Sequence, residues 1–119
     1  MELVETILYV DDMERTRDFY LNLGAEVRLE SPRFCQLSFG ELRIALLPRE
    51  YGDAPALSFC CPDLPAAIDR VVEQGGELLV EPDPALASKP GAIQAATVLD
   101  PSGNTLILWH RCADGGEGA

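Results

Sequence analysis

Residues 7–27 read ILYVDDMERTRDFYLNLGAEV, and the spacing of apolar residues changes twice along them. The stretch opens inside a β-rich run, VETILYV (4–10), which predicts a strand. Asp11-Asp12-Met13-Glu14 then supplies an Asp cap with an acidic residue three positions on, the pattern that satisfies the free amides at a helix start. Met13, Thr16, Phe19, Tyr20 and Leu23 share one face at helical spacing, and Gly24 suits a left-handed helix stop. EVRLE beyond it alternates polar and apolar, as a half-buried strand does. Further on, RFCQLSF (33–39) and LRIALL (42–47) flank a turn at Gly40-Glu41 and predict a hairpin.

The second half repeats this plan. ALSFCC (56–61) is a strand, Asp63 is placed to cap, and Pro65 sits in the first helical turn, where its missing N–H costs little. Leu64, Ala67, Ile68, Val71 and Val72 form the apolar stripe, Gly75-Gly76 stops the helix, and ELLVE (77–81) is the next strand. After a loop, PDPALASKPG (82–91), the hairpin IQAATVLDPSGNTLILWH (93–110) closes the chain's ordered pattern. Asp12 and Asp63, Asp18 and Asp69, Gly24 and Gly75, Glu26 and Glu77 all match at one offset. Identities at a cap, a helix and a helix stop point to duplication. The expected fold is α+β, two tandem βαβββ modules at about 3–50 and 55–111 within one domain, 1–112. ADGGEGA (113–119) has nothing to bury and is expected to be a flexible tail.

Composition narrows the function. Nine Lys and Arg stand against twenty Asp and Glu, a net charge of −11, which argues against binding nucleic acid. An acidic field favours cationic small molecules. No apolar run approaches the roughly 20 residues of a membrane span, and MELVET lacks the features of a signal peptide, so a cytoplasmic location and no membrane partner are expected. Cys35, Cys60, Cys61 and Cys112 contain no CxxC pair, and adjacent Cys60 and Cys61 point to opposite faces of a strand. Four reduced packing thiols are expected.

With the V-x-D strand end, the FY on the helix, the LG that stops it and the closing LDPSGNTLILWH, the chain resembles the vicinal oxygen chelate superfamily: glyoxalase I, extradiol dioxygenases, and fosfomycin- and bleomycin-resistance proteins. The resemblance covers roughly residues 3 to 111. It implies a mixed sheet curled into a cup with a ligand site on its concave face. Many members hold one divalent metal there through four residues on four strands. Carried over singly, those positions are Glu5, Ala45, Ala56 and Ile107. A catalytic metal needs about three protein donors, and one glutamate beside two alanines and an isoleucine does not supply them. No metal and no cofactor are therefore expected.

If Ile107 faces the cup, strand alternation turns Thr105 and Trp109 the same way, with Glu5, Ile7, Tyr9, Ala45, Leu47, Ala56, Ser58 and Cys60. The expected ligand-binding set is Glu5, Ile7, Tyr9, Leu47, Ser58, Cys60, Ile107 and Trp109, a mainly apolar and aromatic lining. No catalytic residue is assigned. Trp109 can stack on a planar ligand, or cover an interface. Glu5 can anchor a cation or act as a base, or be a solvated carboxylate at a strand start. His110, the single histidine, lies on the opposite face from Ile107 and reads as a surface residue; no Ser–His–Asp or Cys–His arrangement accompanies it. Cys60 has no neighbouring base to activate it. The 82–91 loop is either a flap or a stiff connection.

These features favour a metal-independent protein that binds a small organic ligand, cationic or aromatic, similar to bleomycin-resistance proteins that sequester an antibiotic. The resemblance also implies a homodimer. Two alternatives remain: a glyoxalase-like lyase, isomerase or dioxygenase with a displaced metal site drawing on Glu5 with Gln36, Gln94 or His110, or on a partner chain, and a non-catalytic module that binds another protein through a strand face or Trp109.

Overall fold

A computed structural model describes residues 1–112; the expected tail, 113–119, lies outside the described residues. Among the described residues the fold is α+β, with eight strands and two α-helices. The chain divides into two compact units, Val4–Leu57 and a second built from Ser58 onward with Met1–Leu3.

In the first unit, β1 (Glu2–Val10) leads to α1 (Met13–Asn22), then β2 (Glu26–Ser31), β3 (Phe34–Phe39) and β4 (Leu42–Pro48). The strand order is β2-β3-β4-β1. β2–β3 and β3–β4 are antiparallel, while β1 and β4 run parallel, so the sheet is mixed. Asp12 caps α1: its Oδ1 accepts from the Arg15 amide at 3.0 Å. Glu14 falls within the first turn, where a carboxylate complements the helix dipole. Gly24 follows the helix at φ +112°, a conformation that costs a side-chain-bearing residue dearly.

The face of α1 differs from the predicted stripe. Phe19 and Leu23 are 57% and 62% exposed, and Leu21 joins Met13 and Tyr20 against the sheet. The helix rides on a face centred near Arg17, whose aliphatic stem can lie along it while its guanidinium leaves for Glu30 (2.6 Å) and Asp18 (3.0 Å). A polar residue at the centre of a face hides that face from an apolar count. The packing partners are Leu8, Val10, Cys35, Leu37, Ile44 and Leu46, which alternate along β1, β3 and β4 and fix their helix-facing side. β2 is exposed along its whole length rather than half-buried, because it is the outer strand of this unit's order and shifts register between Val27 and Leu29.

The second unit repeats the scheme. β5 (Ala56–Cys60) leads to α2 (Leu64–Glu73), β6 (Glu77–Val80), β7 (Ile93–Leu99) and β8 (Thr105–Arg111), in the order β5-β8-β7-β6. The 51-residue offset holds in the geometry: the helices begin at 13 and 64 and end at 22 and 73, and the capping aspartates are 12 and 63. The positive-φ glycines after them are 24 and 75. Leu64 and Ala67 of α2 are buried with Cys61, Val98 and Leu108, and Phe59, Ile68, Val71, Leu78 and Leu106 pack around them. Val72, assigned to the stripe from sequence, is instead half exposed.

The loop before β7 contains a short 3-10 turn, Pro84–Leu86, and is tied down along its length. Gln94 Nε2 donates to Asp83 O at 3.0 Å, the Cys112 thiol to Leu86 O at 3.3 Å, and Arg111 Nη1 to Gly91 O at 3.0 Å. The turn between β7 and β8 is closed by Asp100, whose carboxylate accepts from the Ser102 and Asn104 amides and the Asn104 side chain, each at 2.9 Å. Those bonds, the Asn104 ones foremost, hold the Asp100 carboxyl below its usual range.

Leu108 is fully buried in the second unit's core. Leu108→Ala is expected to cost about 2–5 kcal/mol of unfolding free energy, read as a lower urea midpoint at unchanged slope. A change under about 0.5 kcal/mol would place Leu108 outside the packed core.

Candidate functional site

In each unit the helix occupies one face of the strands, so alternation assigns the remaining side chains to the other. In the first unit that far face carries Glu5, Ile7 and Tyr9 on β1, Ala45 and Leu47 on β4, and Gln36 and Ser38 on β3. The register sets Ile7 beside Ala45 and Tyr9 beside Leu47, and Gln36 beside Ala45 from the other side. Glu5, Ile7, Gln36, Ser38 and Ala45 are all buried. The strands are therefore covered on both faces at their centres, and this face is the polar one.

Glu5 is 8% exposed and Gln36 6%. A solvated carboxylate at a strand start is thereby overturned. Gln36 Nε2 donates to Glu5 Oε1 at 2.8 Å, which meets the need of a buried carboxylate for a donor. Sequence reading placed Gln36 only among alternative metal donors. A count from the β3–β4 turn would have put it on the Ala45 face, since Gln36 pairs directly with Ala45.

Tyr9 is half-buried, and burial raises its phenol above the ordinary value. Gly52 lies close to its ring: a Cβ at Gly52 would sit 2.5 Å from two ring carbons. One side of Tyr9 is thus occupied by backbone that only glycine can place there. The 3-10 turn that Gly52 ends, Arg49–Tyr51, is held by Arg49 to Asp11 at 3.3 Å and by Arg33, which pairs with Glu50 and donates to the Tyr51 hydroxyl at 2.9 Å.

In the second unit, Trp109 Nε1 donates to Ser58 Oγ at 2.9 Å. Ser58 is buried and Trp109 half-buried. The indole N–H is committed within the protein, so a ligand would meet the ring's apolar surface. Ile107 and Trp109 alternate away from Leu106 and Leu108, which pack toward α2. Cys61 belongs to the helix-side core and Cys60 to the other side; all four cysteines are free thiols. His110 lies on the side opposite Ile107, and its Nε2 is 3.2 Å from Gln94 Oε1. Because the Gln94 amide nitrogen donates to Asp83 O, its oxygen accepts, which assigns the proton to His110 Nε2.

Clefts line the helices within the units. One of about 300 Å³ is lined by Met13, Glu14, Arg17, Glu30, Cys35 and their neighbours, one of about 480 Å³ by residues 12–22 of the α1 surface, and one of about 230 Å³ by Met1, Cys61 and the start of α2. None is lined by an expected ligand-binding residue. They follow the charged flanks of the helices and bring no convergent set of unpaired donors together, whereas the buried polar side chains lie on the far faces. Those far faces carry more weight as the candidate site.

The four positions at which a family metal would be held do not fit one. Glu5 alone offers a donor atom; Ala45, Ala56 and Ile107 have none. Among the described residues, no group of three or more His, Cys, Asp or Glu side chains is placed to hold a metal ion.

Residues 2–108 match the family model of the Glyoxalase/Bleomycin resistance protein/Dioxygenase superfamily. Comparison with curated proteins gave no match. Among solved structures, the chain is similar to a glyoxalase/bleomycin resistance protein/dioxygenase superfamily member from Vibrio splendidus 12B01, at 21% identity and TM-score 0.63 over 90% of this chain and 96% of that one. A protein described as NAD-dependent benzaldehyde dehydrogenase from Legionella pneumophila aligns at 18% identity and TM-score 0.70, covering 89% and 96%. The Mn(II)-bound glyoxalase from Novosphingobium aromaticivorans aligns at 16% identity and TM-score 0.58, over 95% of this chain and 40% of that one. At these identities the likeness is one of fold.

Two outcomes test the geometry. Ser58→Ala removes the acceptor of the Trp109 indole and should cost about 1 kcal/mol, with greater acrylamide quenching of this sole tryptophan. Unaltered quenching would mean that packing alone holds the ring. Burial also raises the Cys35 and Cys61 thiols above their ordinary 9.0 and Tyr9 above 10.0. The unfolded chain then releases these protons at lower pH than the native one, so their contribution to stability is fully present below pH 9 and falls as pH rises beyond it. Urea midpoints that stay level from pH 8 to 10.5 would contradict this.

Proposed function

From its place in the Glyoxalase/Bleomycin resistance protein/Dioxygenase superfamily, to which the chain belongs, we propose that this protein binds a small organic molecule without a catalytic metal and works by sequestration, as bleomycin-resistance proteins do. One observation carries the reading: three of the four positions that would hold a family metal are Ala45, Ala56 and Ile107, and no side-chain chemistry can make them ligands. What occupies the far faces instead is Ile7, Tyr9 and Leu47 in one unit and Ile107 and Trp109 in the other, with Glu5–Gln36 and Ser58 as the polar members. Apolar and aromatic area with a few placed polar groups is the make-up of an organic-ligand site. Sequestration needs affinity and copy number only, so the absence of an activated nucleophile or an acid–base pair from this set is no obstacle to it.

On this reading the protein is a cytoplasmic homodimer. No helix among the described residues is long and apolar enough to cross a membrane. The net charge of −11 favours a cationic or aromatic ligand over an anionic one.

The rival reading, a metal-dependent lyase, isomerase or dioxygenase, draws on Glu5 being buried with a second potential donor, Gln36, in contact. Elemental analysis after incubation with Ni, Zn, Mn and Fe(II) and removal of loose ions separates the two. A metal ratio near zero, with Trp109 fluorescence responding to cationic aromatic antibiotics, is expected. About one ion per chain, released by Glu5→Ala, would overturn the proposal and make the protein an enzyme candidate.

A further inference from the structure

The residues that follow β4 fold over the one aromatic side chain that β1 places on the far face. β1 and β4 run parallel and end together, with Tyr9 beside Leu47 and Val10 beside Pro48. The chain leaves β4 at Pro48, makes the 3-10 turn Arg49–Tyr51 and brings Gly52 against the Tyr9 ring. A Cβ there would lie 2.5 Å from Cε2 and Cζ and 2.9 Å from Cε1, the atoms at the hydroxyl end of the ring. Gly52 has φ 177°, an extended backbone open to any residue. What glycine supplies at this point is room for the segment to close on the phenol.

Nothing buried holds the segment in place, since none of Arg49, Glu50 and Tyr51 is buried. Two arginines grip it instead. Arg49 donates through Nε and Nη2 to the two carboxylate oxygens of Asp11, both at 3.3 Å, and Asp11 directly follows β1. Arg33 reaches in from the turn between β2 and β3. It pairs with Glu50, donates from Nε to the Tyr51 hydroxyl at 2.9 Å, and sets its guanidinium carbon 5.2 Å from the centroid of the Tyr51 ring. One side chain thus holds two consecutive residues of the turn through charge, a hydrogen bond and a cation–π contact. All four ion-pairing side chains are more than half exposed. Exposed pairs contribute little each and are screened by salt. This segment can therefore come away while the core beneath α1 stays packed.

We propose that residues 49–52 are a strap latched over Tyr9, with Arg33 as the catch, and that lifting the strap uncovers the phenol. Arg33 stands outside the strap and stays behind when it opens; Arg49 travels with it and lets go of Asp11. Ionic strength sets how often the latch is open. That a ligand then meets the uncovered ring rests on the small-molecule reading above, whereas the latch itself stands on these contacts alone.

The test is the initial rate at which N-acetylimidazole acetylates each tyrosine of the whole chain, read by peptide mass spectrometry. It compares about 0.01 M with about 1 M sodium chloride, between which the screening length falls from about 30 Å to about 3 Å. Wild-type Tyr9 is expected to react about two- to fivefold faster at high salt, while Tyr20, which packs against the core from α1, keeps its rate. Arg33→Gln should give the fast Tyr9 rate at both salt concentrations. Gly52→Ala should do the same with both arginines in place, because the added methyl occupies the space of the ring. Circular dichroism and melting curves check folding; if Gly52→Ala does not fold, the salt series and Arg33→Gln decide. A wild-type Tyr9 rate that ignores salt, or one that stays slow in Arg33→Gln, overturns the inference. Equal acceleration at Tyr9 and Tyr20 also overturns it, since that marks a general loosening of the unit. No ligand enters the measurement, so failure of the latch leaves the small-molecule reading standing, and a failed antibiotic titration leaves the latch standing.

Discussion

Strands β3 and β4 are buried on both faces at their centres, and much else in the first unit follows from that constraint. A strand covered on one side can send its polar residues to water, but one covered on both must find each of them a partner. The helix side meets this with a mainly apolar set: Leu8, Leu37, Leu46 and their neighbours. The far side keeps a carboxylate, an amide and a hydroxyl, and Gln36–Glu5 is the bond that makes the arrangement tenable. Removing one partner would leave a buried charge or amide unsatisfied, which is worse than having neither. Retaining a polar pair where alkyl groups would pack more simply is hard to explain by folding alone.

The framework was legible because it rests on short-range chemistry. Asp12 and Asp63 accept from amides three residues on, and Gly24 and Gly75 take up positive φ where the helices stop. Such signals are contained within a few residues, so they survive in the sequence and mark where both helices start and stop. Alternation likewise fixed which strand residues share a face, because adjacent residues on a strand have no other option. The turn at Gly40-Glu41 and the Asp100 turn were visible for the same reason.

What stayed hidden depended on distant partners. The face of α1 was misplaced because Arg17 sits at its centre, and only Glu30 on another element shows why an arginine belongs there. Val72 carries the spacing of a core residue but is half exposed. Gln36 meeting Glu5 spans 31 residues, Trp109 meeting Ser58 spans 51, and Gly52 against Tyr9 spans 43; none has a local signature. Candidate site chemistry is therefore read late, since it is made of side chains that converge from separate strands, while the framework that brings them together is read early.

Comparing the two halves shows how far these layers are separable. At the shared offset, the cap, the helix stop and the start of the next strand carry the same residue types: Asp12 and Asp63, Gly24 and Gly75, Glu26 and Glu77. On the far face the same offset pairs Glu5 with Ala56, Ile7 with Ser58 and Tyr9 with Cys60, and nothing is shared. Backbone geometry demands the first set, because a helix needs a cap and a left-handed stop wherever it occurs. Nothing in the backbone demands the second, since any side chain of fitting size can project from a strand. A duplicated fold can thus hold its helices in place while its two sheet faces take on different chemistry. The same logic applies to Ala45, Ala56 and Ile107: they project from strands, at positions the fold leaves free to vary.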